Sequence, residues 1–150
     1  MSARYGYTIR GSILISSSIN SVFNIAADPA IVPRYAAEIV RIDVLSSEPR
    51  SARVISHLRI FGLTLKSRYR YHYHRPRCYS GVQEDGVVRG FFTMRLTDEK
   101  GQTRVEHVEG ITSRVPYLAR LVGWIFFRML SRDGIEAELQ RLKQIVEQDK

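Results

Sequence analysis

The chain has 150 residues, of which 44% are hydrophobic and 25% are charged, so it is long enough for one globular domain, residues 1–150, with a sizeable buried core. Cys78 is the sole cysteine, which excludes an internal disulfide and a four-cysteine metal site. The formal net charge of +8 favours anionic partners such as nucleic acid, anionic lipid or an acidic protein, although it can also serve solubility alone.

The sequence offers no membrane-spanning or signal segment. No apolar run reaches the ~20 residues that a transmembrane helix needs. The first residues, MSARYGYTIRG, lack the apolar core of a signal peptide. We therefore expect a cytoplasmic protein.

Alternating apolar and polar residues predict that much of the chain is β-strand. The first such segment is 7–16. Two short helices are predicted next, at about 19–27 and 30–36, and they are separated at Asp28-Pro29. Further strands, divided by polar turns, are predicted at 39–45, 53–61, 63–74, 78–83, 87–97 and 103–112.

The C-terminal residues 115–150 predict one long helix, which Pro116 can open because a first-turn residue needs no backbone N–H partner. In the second half, apolar residues recur at i, i+4, i+7 and i+11 and predict one buried stripe, made of Ile135, Leu139, Leu142 and Val146. Glu138 is among the residues expected on the solvent side. The first half, 117–130, is apolar nearly all round and must be covered on several sides.

This order of elements predicts an α+β fold. Sequential strands joined by short turns favour an antiparallel meander. A sheet with one apolar face needs a cover, and the long helix is the predicted cover. We therefore expect a curved antiparallel sheet of six to seven strands wrapped around a long C-terminal helix, with two short helices after the first strand.

The segment after the first predicted strand, SSSINSVFNIAADPAIVPRYAAEIVRIDVL, carries a family resemblance. A small-residue turn leads into a helix with an aromatic at Phe23, and Asp28 follows. Pro33 and Tyr35 then precede a Val-rich strand. This pattern, with the order of elements, resembles the START-like superfamily of polyketide cyclases, lipid-transfer domains, plant pollen allergens and coenzyme Q-binding proteins. Residues 36–37, both alanine, depart from it, since a tryptophan–proline pair usually stands there.

The resemblance implies the helix-grip fold, in which a hydrophobic cavity lies between the helix and the sheet. It does not fix the function, because the superfamily contains both enzymes and proteins that only bind.

The side chains expected to face the helix are mostly apolar, a composition typical of ligand pockets. They could equally fill a closed core, since protein interiors are close-packed; the resemblance favours the pocket. We expect the ligand to be a lipid, an isoprenoid quinone or a polyketide-like aromatic. The predicted contacts are Leu58, Leu65, Tyr69, Tyr71, Tyr73, Phe92, Met94 and Val105 on the sheet and Leu121, Val122, Ile125, Phe126 and Met129 on the helix.

His107 and Glu109 share the predicted inward face of the last strand with Val105. A histidine beside a carboxylate suits general acid–base catalysis, so the two are candidate catalytic residues of a cyclase- or dehydratase-type enzyme. The alternative is a pair hydrogen-bonded to Arg114 or to solvent. Binding and transport are favoured over catalysis, with this pair and the tyrosine hydroxyls contacting the polar end of the ligand.

No metal site and no cofactor are predicted. His72 and His74 could both reach one ion, but no third ligand with suitable spacing follows, and basic neighbours oppose a cation. Nucleic acid is not favoured as a partner either. In the predicted strand 63–74, alternation places the tyrosines on the face opposite the arginines, so base stacking and phosphate contact would occur on different sides.

Trp124, Phe127 and Leu130 fall on a side of the long helix that faces away from the sheet. If the short helices cover them, they are core. If they are exposed, they form a larger apolar patch than monomers usually leave bare. With arginines beside them, they predict peripheral contact with an anionic membrane, or homodimerisation.

Overall fold

The computed structural model describes residues 5–60, 62–129 and 132–148. Within these residues the elements, in chain order, are β1 (Tyr5–Ile15), α1 (Ile19–Ala26), α2 (Val32–Tyr35), β2 (Ile39–Ser47), β3 (Ser51–Ile60), β4 (Leu63–His74), β5 (Cys78–Gln83), β6 (Val88–Glu99), β7 (Gln102–Ser113), α3 (Pro116–Met129) and α4 (Arg132–Gln148). The strands form one antiparallel sheet in the order β1-β7-β6-β5-β4-β3-β2. This curved sheet with its C-terminal and short helices confirms the helix-grip α+β fold.

Most of the sheet is a meander, because each strand from β2 to β7 pairs with the next along the chain. β1 instead pairs with β7, and the register sets Ile13 opposite Val105 and Ile9 opposite Glu109. β1 and β2 are therefore the two edges of the sheet. Since side chains alternate along a strand, Val105, His107 and Glu109 share one face of β7.

The short helices form where capping residues predict them. The side chain of Ser18 accepts a hydrogen bond from the backbone N–H of Ser21 and caps α1, which buries Phe23. In the turn that follows, Asp28 accepts from the backbone N–H of Ala30 at 2.9 Å. Both helices contact α4, so they help to hold the C-terminal helix in place.

α4 lies along β1 and buries the predicted apolar stripe, which consists of Ile135, Leu139, Leu142 and Val146. Each such side chain stabilises the fold by about 1.5–3 kcal/mol when it leaves water. Two hydrogen bonds fix the helix further. Arg141 Nε donates to the carbonyl of Tyr35 at 2.8 Å, and Lys143 Nζ donates to the carbonyl of Leu14 at 3.1 Å.

The sequence predicted one helix over 115–150, and the structure is helical over Pro116–Met129 (α3) and Arg132–Gln148 (α4). Residues 130–131 lie outside the described residues, so one helix across that point stays a prediction. The two halves have different apolar patterns, one all round and one in a single stripe, so they suit different surroundings. In the described part of the chain, no helix is long and apolar enough to cross a membrane.

α3 presents two apolar stripes at helical spacing. One, made of Leu118, Val122 and Ile125, is half-buried. The other is exposed and consists of Tyr117, Leu121 and Trp124. The helix approaches β1 closely at Gly123, where the ring of Tyr7 occupies the space that a Cβ would need. α3 is therefore seated by one face and leaves a second apolar face open to solvent.

Candidate functional site

A cavity of about 490 Å³ lies between α3 and the sheet. Its walls come from the start of β2, from β3, β4, β6 and β7, and from α3. Most of the lining is apolar or aromatic: Ala37, Ile39, Leu58, Tyr69, Tyr71, Gly90, Phe91, Phe92, Gly110, Val122 and Ile125. The polar lining residues are Glu38, Ser56 and Glu109. Apolar walls with a few polar groups are typical of sites for small molecules.

Aromatic side chains form the sheet wall of the cavity. Tyr71 meets Phe92 edge to face, with ring centroids 5.3 Å apart and planes at 85°. Tyr69 lies beside Tyr71, and its hydroxyl occupies the space above Gly90 that a Cβ would fill. Burial, and then the negative charge of Glu109, raises the pKa of Tyr69 above its usual value. Its hydroxyl therefore stays protonated and can donate a hydrogen bond at the cavity wall.

Two carboxyl groups lie at the polar part of this wall. Glu38 precedes β2, and Glu109 lies on β7. Burial raises the pKa of Glu38, and the negative charge of Glu109 raises it further. A carboxyl of this kind binds a proton more readily than one in water, so it suits a hydroxyl or carbonyl group on a ligand.

His107 links the cavity wall to α4. Its Nε2 lies 3.0 Å from Glu109 Oε1, and its Nδ1 lies 3.4 Å from Glu138 Oε1. His107 is 3% exposed and Glu138 is 2% exposed. Burial raises the pKa of Glu138 well above its usual range, and the negative charges of Glu109 and Glu38 act in the same direction. The structure thus brings the predicted pair together on the face toward the helix and adds a third residue.

Glu138 corrects an expectation, because the sequence placed it on the solvent side of the helix. It lies three residues after Ile135 and four before Leu142, so it borders the buried stripe and turns toward β7. A carboxylate at that spacing from two apolar stripe positions is the signal that could have identified it.

The predicted ligand contacts separate into groups. Leu58, Tyr69, Tyr71, Phe92, Val122 and Ile125 line the cavity. Others are buried in the core cluster outside that lining, namely Tyr73, Met94 and Val105. The side chains of Phe126 and Met129, the side chain of Phe127 and the whole of Leu130 lie outside the described part of the chain.

Leu65 and Leu121 do not lie where they were expected. Leu65 is 49% exposed, because it lies among the first four residues of β4, which are exposed on both faces of the strand. Leu121 is 58% exposed, because it follows Tyr117 by four residues and belongs to the outer stripe of α3.

Phe91 and Glu38 line the cavity although the sequence did not indicate them. Strand alternation placed Phe92 inward and therefore Phe91 outward. Phe91 still reaches the cavity, and its ring packs over Gly110 on β7, where a Cβ would collide with it. Glu38 precedes β2, where no periodic pattern shows the direction of a side chain.

The basic face of β4 is exposed and consists of Lys66, Arg68, Arg70, His72 and His74. Arg70 Nε lies 3.2 Å from Glu84 Oε1, and Asp85 accepts from the backbone N–H of Arg68 at 3.2 Å. Acidic residues of the following turn thus offset part of the charge.

The sequence matches a family model over residues 7–147, and that family is described as polyketide cyclase / dehydrase and lipid transport. Among curated proteins, none matches the sequence significantly.

Several solved structures share the fold. TTHA0849 from Thermus thermophilus, known from a crystal structure, shares 17% sequence identity with this chain. The TM-score is 0.78, and the match covers 96% of this chain and 99% of TTHA0849. The Zhui aromatase/cyclase from Streptomyces sp. R1128 is 11% identical, with a TM-score of 0.79 over 95% and 94%. A START superfamily protein from Mycobacterium smegmatis is 14% identical, with a TM-score of 0.73 over 95% and 99%. At these identities the likeness concerns the fold.

Proposed function

We propose that the cavity binds and carries a small hydrophobic molecule, because the chain belongs to the polyketide cyclase / dehydrase and lipid transport family. The observation that supports this most directly is the cavity of about 490 Å³ with apolar and aromatic walls. Cavities of roughly 300–1,000 Å³ accept drug-sized ligands.

The walls favour a ligand with a flat or apolar body and one polar end. Tyr71 and Phe92 offer ring surfaces, and Val122 and Ile125 on α3 offer aliphatic contact. The carboxyl groups of Glu38 and Glu109 and the Tyr69 hydroxyl would contact the polar end. A lipid, an isoprenoid quinone and a polyketide-like aromatic all have this character.

The first experiment asks whether the purified protein carries a molecule. Native mass spectrometry, followed by organic extraction and mass analysis, should detect a bound hydrophobic compound. The protein stripped of it should bind 1-anilinonaphthalene-8-sulfonate (ANS) in one saturable site. If the protein carries nothing and ANS does not bind to the native fold, the proposal is wrong.

A cyclase- or dehydratase-type reaction is the second candidate, and the contact between His107 Nε2 and Glu109 Oε1 favours it. In that case His107 and Glu109 would exchange a proton with a carbonyl or hydroxyl of the ligand. The fold shared with the Zhui aromatase/cyclase supports the choice of reaction class. With a polyketide substrate analogue, unchanged turnover in His107→Ala would reject this candidate and leave the binding proposal intact.

The exposed stripe of α3 supports a further part of the proposal, contact with an anionic membrane. Tyr117 is 83% exposed and Trp124 is 54% exposed, and Leu121 lies between them. Arg114 and Arg120 are exposed nearby, and the chain has a net charge of +8. Apolar side chains flanked by cations suit the surface of an anionic bilayer. Because the inner stripe of α3 lines the cavity, a ligand would have a short path from membrane to cavity.

Co-sedimentation with vesicles tests the membrane contact. The wild type should bind phosphatidylserine-containing vesicles more than neutral ones, and Leu121→Glu should abolish most of that binding. Leu65→Glu, on another exposed apolar position, is the matched control and should retain it. If the wild type ignores anionic vesicles, or forms a dimer in solution that Leu121→Glu dissociates, the stripe does not serve as a membrane surface. The cytoplasmic location suggested by the sequence stays a prediction.

A further inference from the structure

His107, Glu109 and Glu138 form a cluster of possible metal ligands at the junction of β7 and α4. Each residue offers one nitrogen or oxygen atom, and these atoms all lie within 4.8 Å of one another. Glu109 lies two residues after His107 on the same face of β7, and Glu138 approaches from the helix. The cluster therefore depends on the way α4 packs against the sheet.

The imidazole of His107 points to a missing partner in this cluster. Although Glu109 Oε1 and Glu138 Oε1 lie at contact distance, within the described residues neither ring nitrogen of His107 makes a hydrogen bond. The two oxygens are near enough but lie off the directions in which the ring nitrogens point. A buried polar group that lacks a partner costs free energy, and native proteins leave few of them.

The charge of the surroundings favours a cation as that partner. The carboxyl groups of Glu38, Glu109 and Glu138 lie within electrostatic range of one another at this half-buried to buried site, so negative charges placed there repel each other. Arg141 interacts electrostatically with Glu38 and Glu138, but its Nε already donates to the carbonyl of Tyr35 at 2.8 Å. A divalent ion would offset two of these charges and would also take a lone pair of the imidazole.

We propose that His107, Glu109 and Glu138 bind one divalent transition-metal ion at the wall of the cavity. An imidazole with carboxylates is a donor set for ions such as Zn²⁺ or Mn²⁺, whereas Mg²⁺ and Ca²⁺ prefer oxygen ligands alone. Bonds of about 2.0–2.2 Å to nitrogen and oxygen place neighbouring ligand atoms roughly 3–3.5 Å apart. One ion can take only one of the two ring nitrogens. His107 Nε2 and Glu109 Oε1, 3.0 Å apart, already have this spacing, and one ligand atom of each of the three residues lies within 4.8 Å of the other two.

The position of the ion would matter for the ligand. Since Glu109 lines the cavity, an ion held by these three residues would face it. Three protein ligands leave a coordination position open, as in catalytic rather than structural sites. That position would be available to water or to an oxygen atom of the bound molecule. Ion binding itself does not depend on the proposed function.

Isothermal titration of chelator-treated protein with Zn²⁺ tests the site, and Co²⁺ serves as a spectroscopic substitute. The wild type should bind one equivalent, and Zn²⁺ should raise its unfolding temperature. Glu138→Gln, which keeps the shape of the side chain, should weaken binding by about ten-fold or more. The Co²⁺ spectrum should change in the same variant. Mg²⁺ should not compete at similar concentrations.

A double variant, His72→Gln/His74→Gln, is the matched control, because these exposed histidines are the other pair that could attract an ion. It should bind Zn²⁺ like the wild type. If this control loses the ion while Glu138→Gln keeps it, the ion binds adventitiously at the surface and the proposal is overturned. Absence of binding by folded wild type overturns it as well. Should Glu138→Gln fail to fold, Glu109→Gln on the cavity wall provides the same comparison. ANS binding by the metal-free protein reports on the cavity separately.

Discussion

The two lateral halves of the sheet, one around β1 and β7 and the other around β2–β4, differ in what covers them. On the β1 and β7 side, α4 buries a continuous apolar stripe, and side chains of Arg141 and Lys143 hold it by hydrogen bonds to the backbone. The cavity extends from β6 and β7 toward the β2–β4 side, and on that side apolar residues stay exposed, among them Val40, Val44, Leu45, Leu63 and Leu65. We call these the packed side and the cavity side. Val54 and Tyr71 on β3 and β4 are buried too, but we expect the packed side to contribute more of the stability than the cavity side.

Truncation of a core leucine should separate the two sides most strongly. Leu142 on α4 is fully buried, so Leu142→Ala should lower the free energy of unfolding by about 2–5 kcal/mol. Leu65→Ala removes the same atoms from an exposed position of the cavity side and should change it by less than about 0.5 kcal/mol. Urea denaturation followed by circular dichroism measures both. Equal losses would show that the sides do not differ in this way.

A substitution that fills the cavity should weaken ligand binding while leaving the free energy of unfolding nearly unchanged. In Val122→Trp the larger ring enters the cavity, so the affinity for ANS should fall about ten-fold or more, while stability changes by about 1 kcal/mol or less. Leu121→Trp adds the same ring to the outer stripe of the same helix and should leave the affinity unchanged. Fluorescence titration distinguishes them. A parallel loss in both variants would mean that the dye does not occupy the cavity.

A substitution at Gly90 tests the position of the Tyr69 hydroxyl at the cavity wall and should have a smaller effect. A Cβ at this position meets the hydroxyl of Tyr69, so Gly90→Ala should destabilise the protein by about 1–3 kcal/mol. Removal of that hydroxyl in Gly90→Ala/Tyr69→Phe should restore part of the loss. The double-mutant cycle is measured by urea denaturation, with Tyr69→Phe alone as the reference. If the changes in unfolding free energy of the two single variants simply add in the double variant, the Tyr69 hydroxyl does not contact a Cβ at residue 90.

The smallest expected effect concerns the β2 edge of the cavity side. His57 Nε2 lies 2.7 Å from Asp43 Oδ2, and this hydrogen bond, more than the nearby Arg41, holds the pKa of Asp43 below its usual value. A lowered pKa contributes stability above the unfolded value of about 3.9, and the contribution disappears as the pH falls through the folded value. Asp43→Asn should therefore be slightly less stable than the wild type at pH 6, and the difference should disappear as the pH falls through the lowered pKa of Asp43. A difference that persists at low pH would contradict this origin.

Periodic segments were predictable because burial on one face leaves a direct record in the sequence. The β4 alternation and the Ile135–Val146 stripe gave strands and helix where the structure has them, and the START-like pattern around Phe23 and Asp28 indicated the topology. The pairing of His107 with Glu109 on the inward face followed from the same alternation. That the chain is one domain stays a prediction.

Other features depend on tertiary packing more than on local sequence. Glu138 borders a buried stripe, and only the approach of α4 to β7 decides that it turns inward. Leu65 belongs to a regular alternation that begins in residues exposed on both faces of β4, so the alternation there does not mark a buried face. Leu121 lies in a segment that is apolar all round, where periodicity cannot tell which face meets the sheet.

The pairing of β1 with β7 has a consequence for the way the chain folds during synthesis. Ribosomes deliver β1 first, yet its strand partner and its helical cover come last: the backbone N–H of Ser16 donates to Glu147 Oε1 on α4, 131 residues later in the chain. Such distant contacts slow folding because a long loop must close before they form. The meander from β2 to β7 can pair locally, but its apolar face stays bare until α4 leaves the ribosome. We therefore expect nascent chains that end before α4 to be the species that most need chaperones.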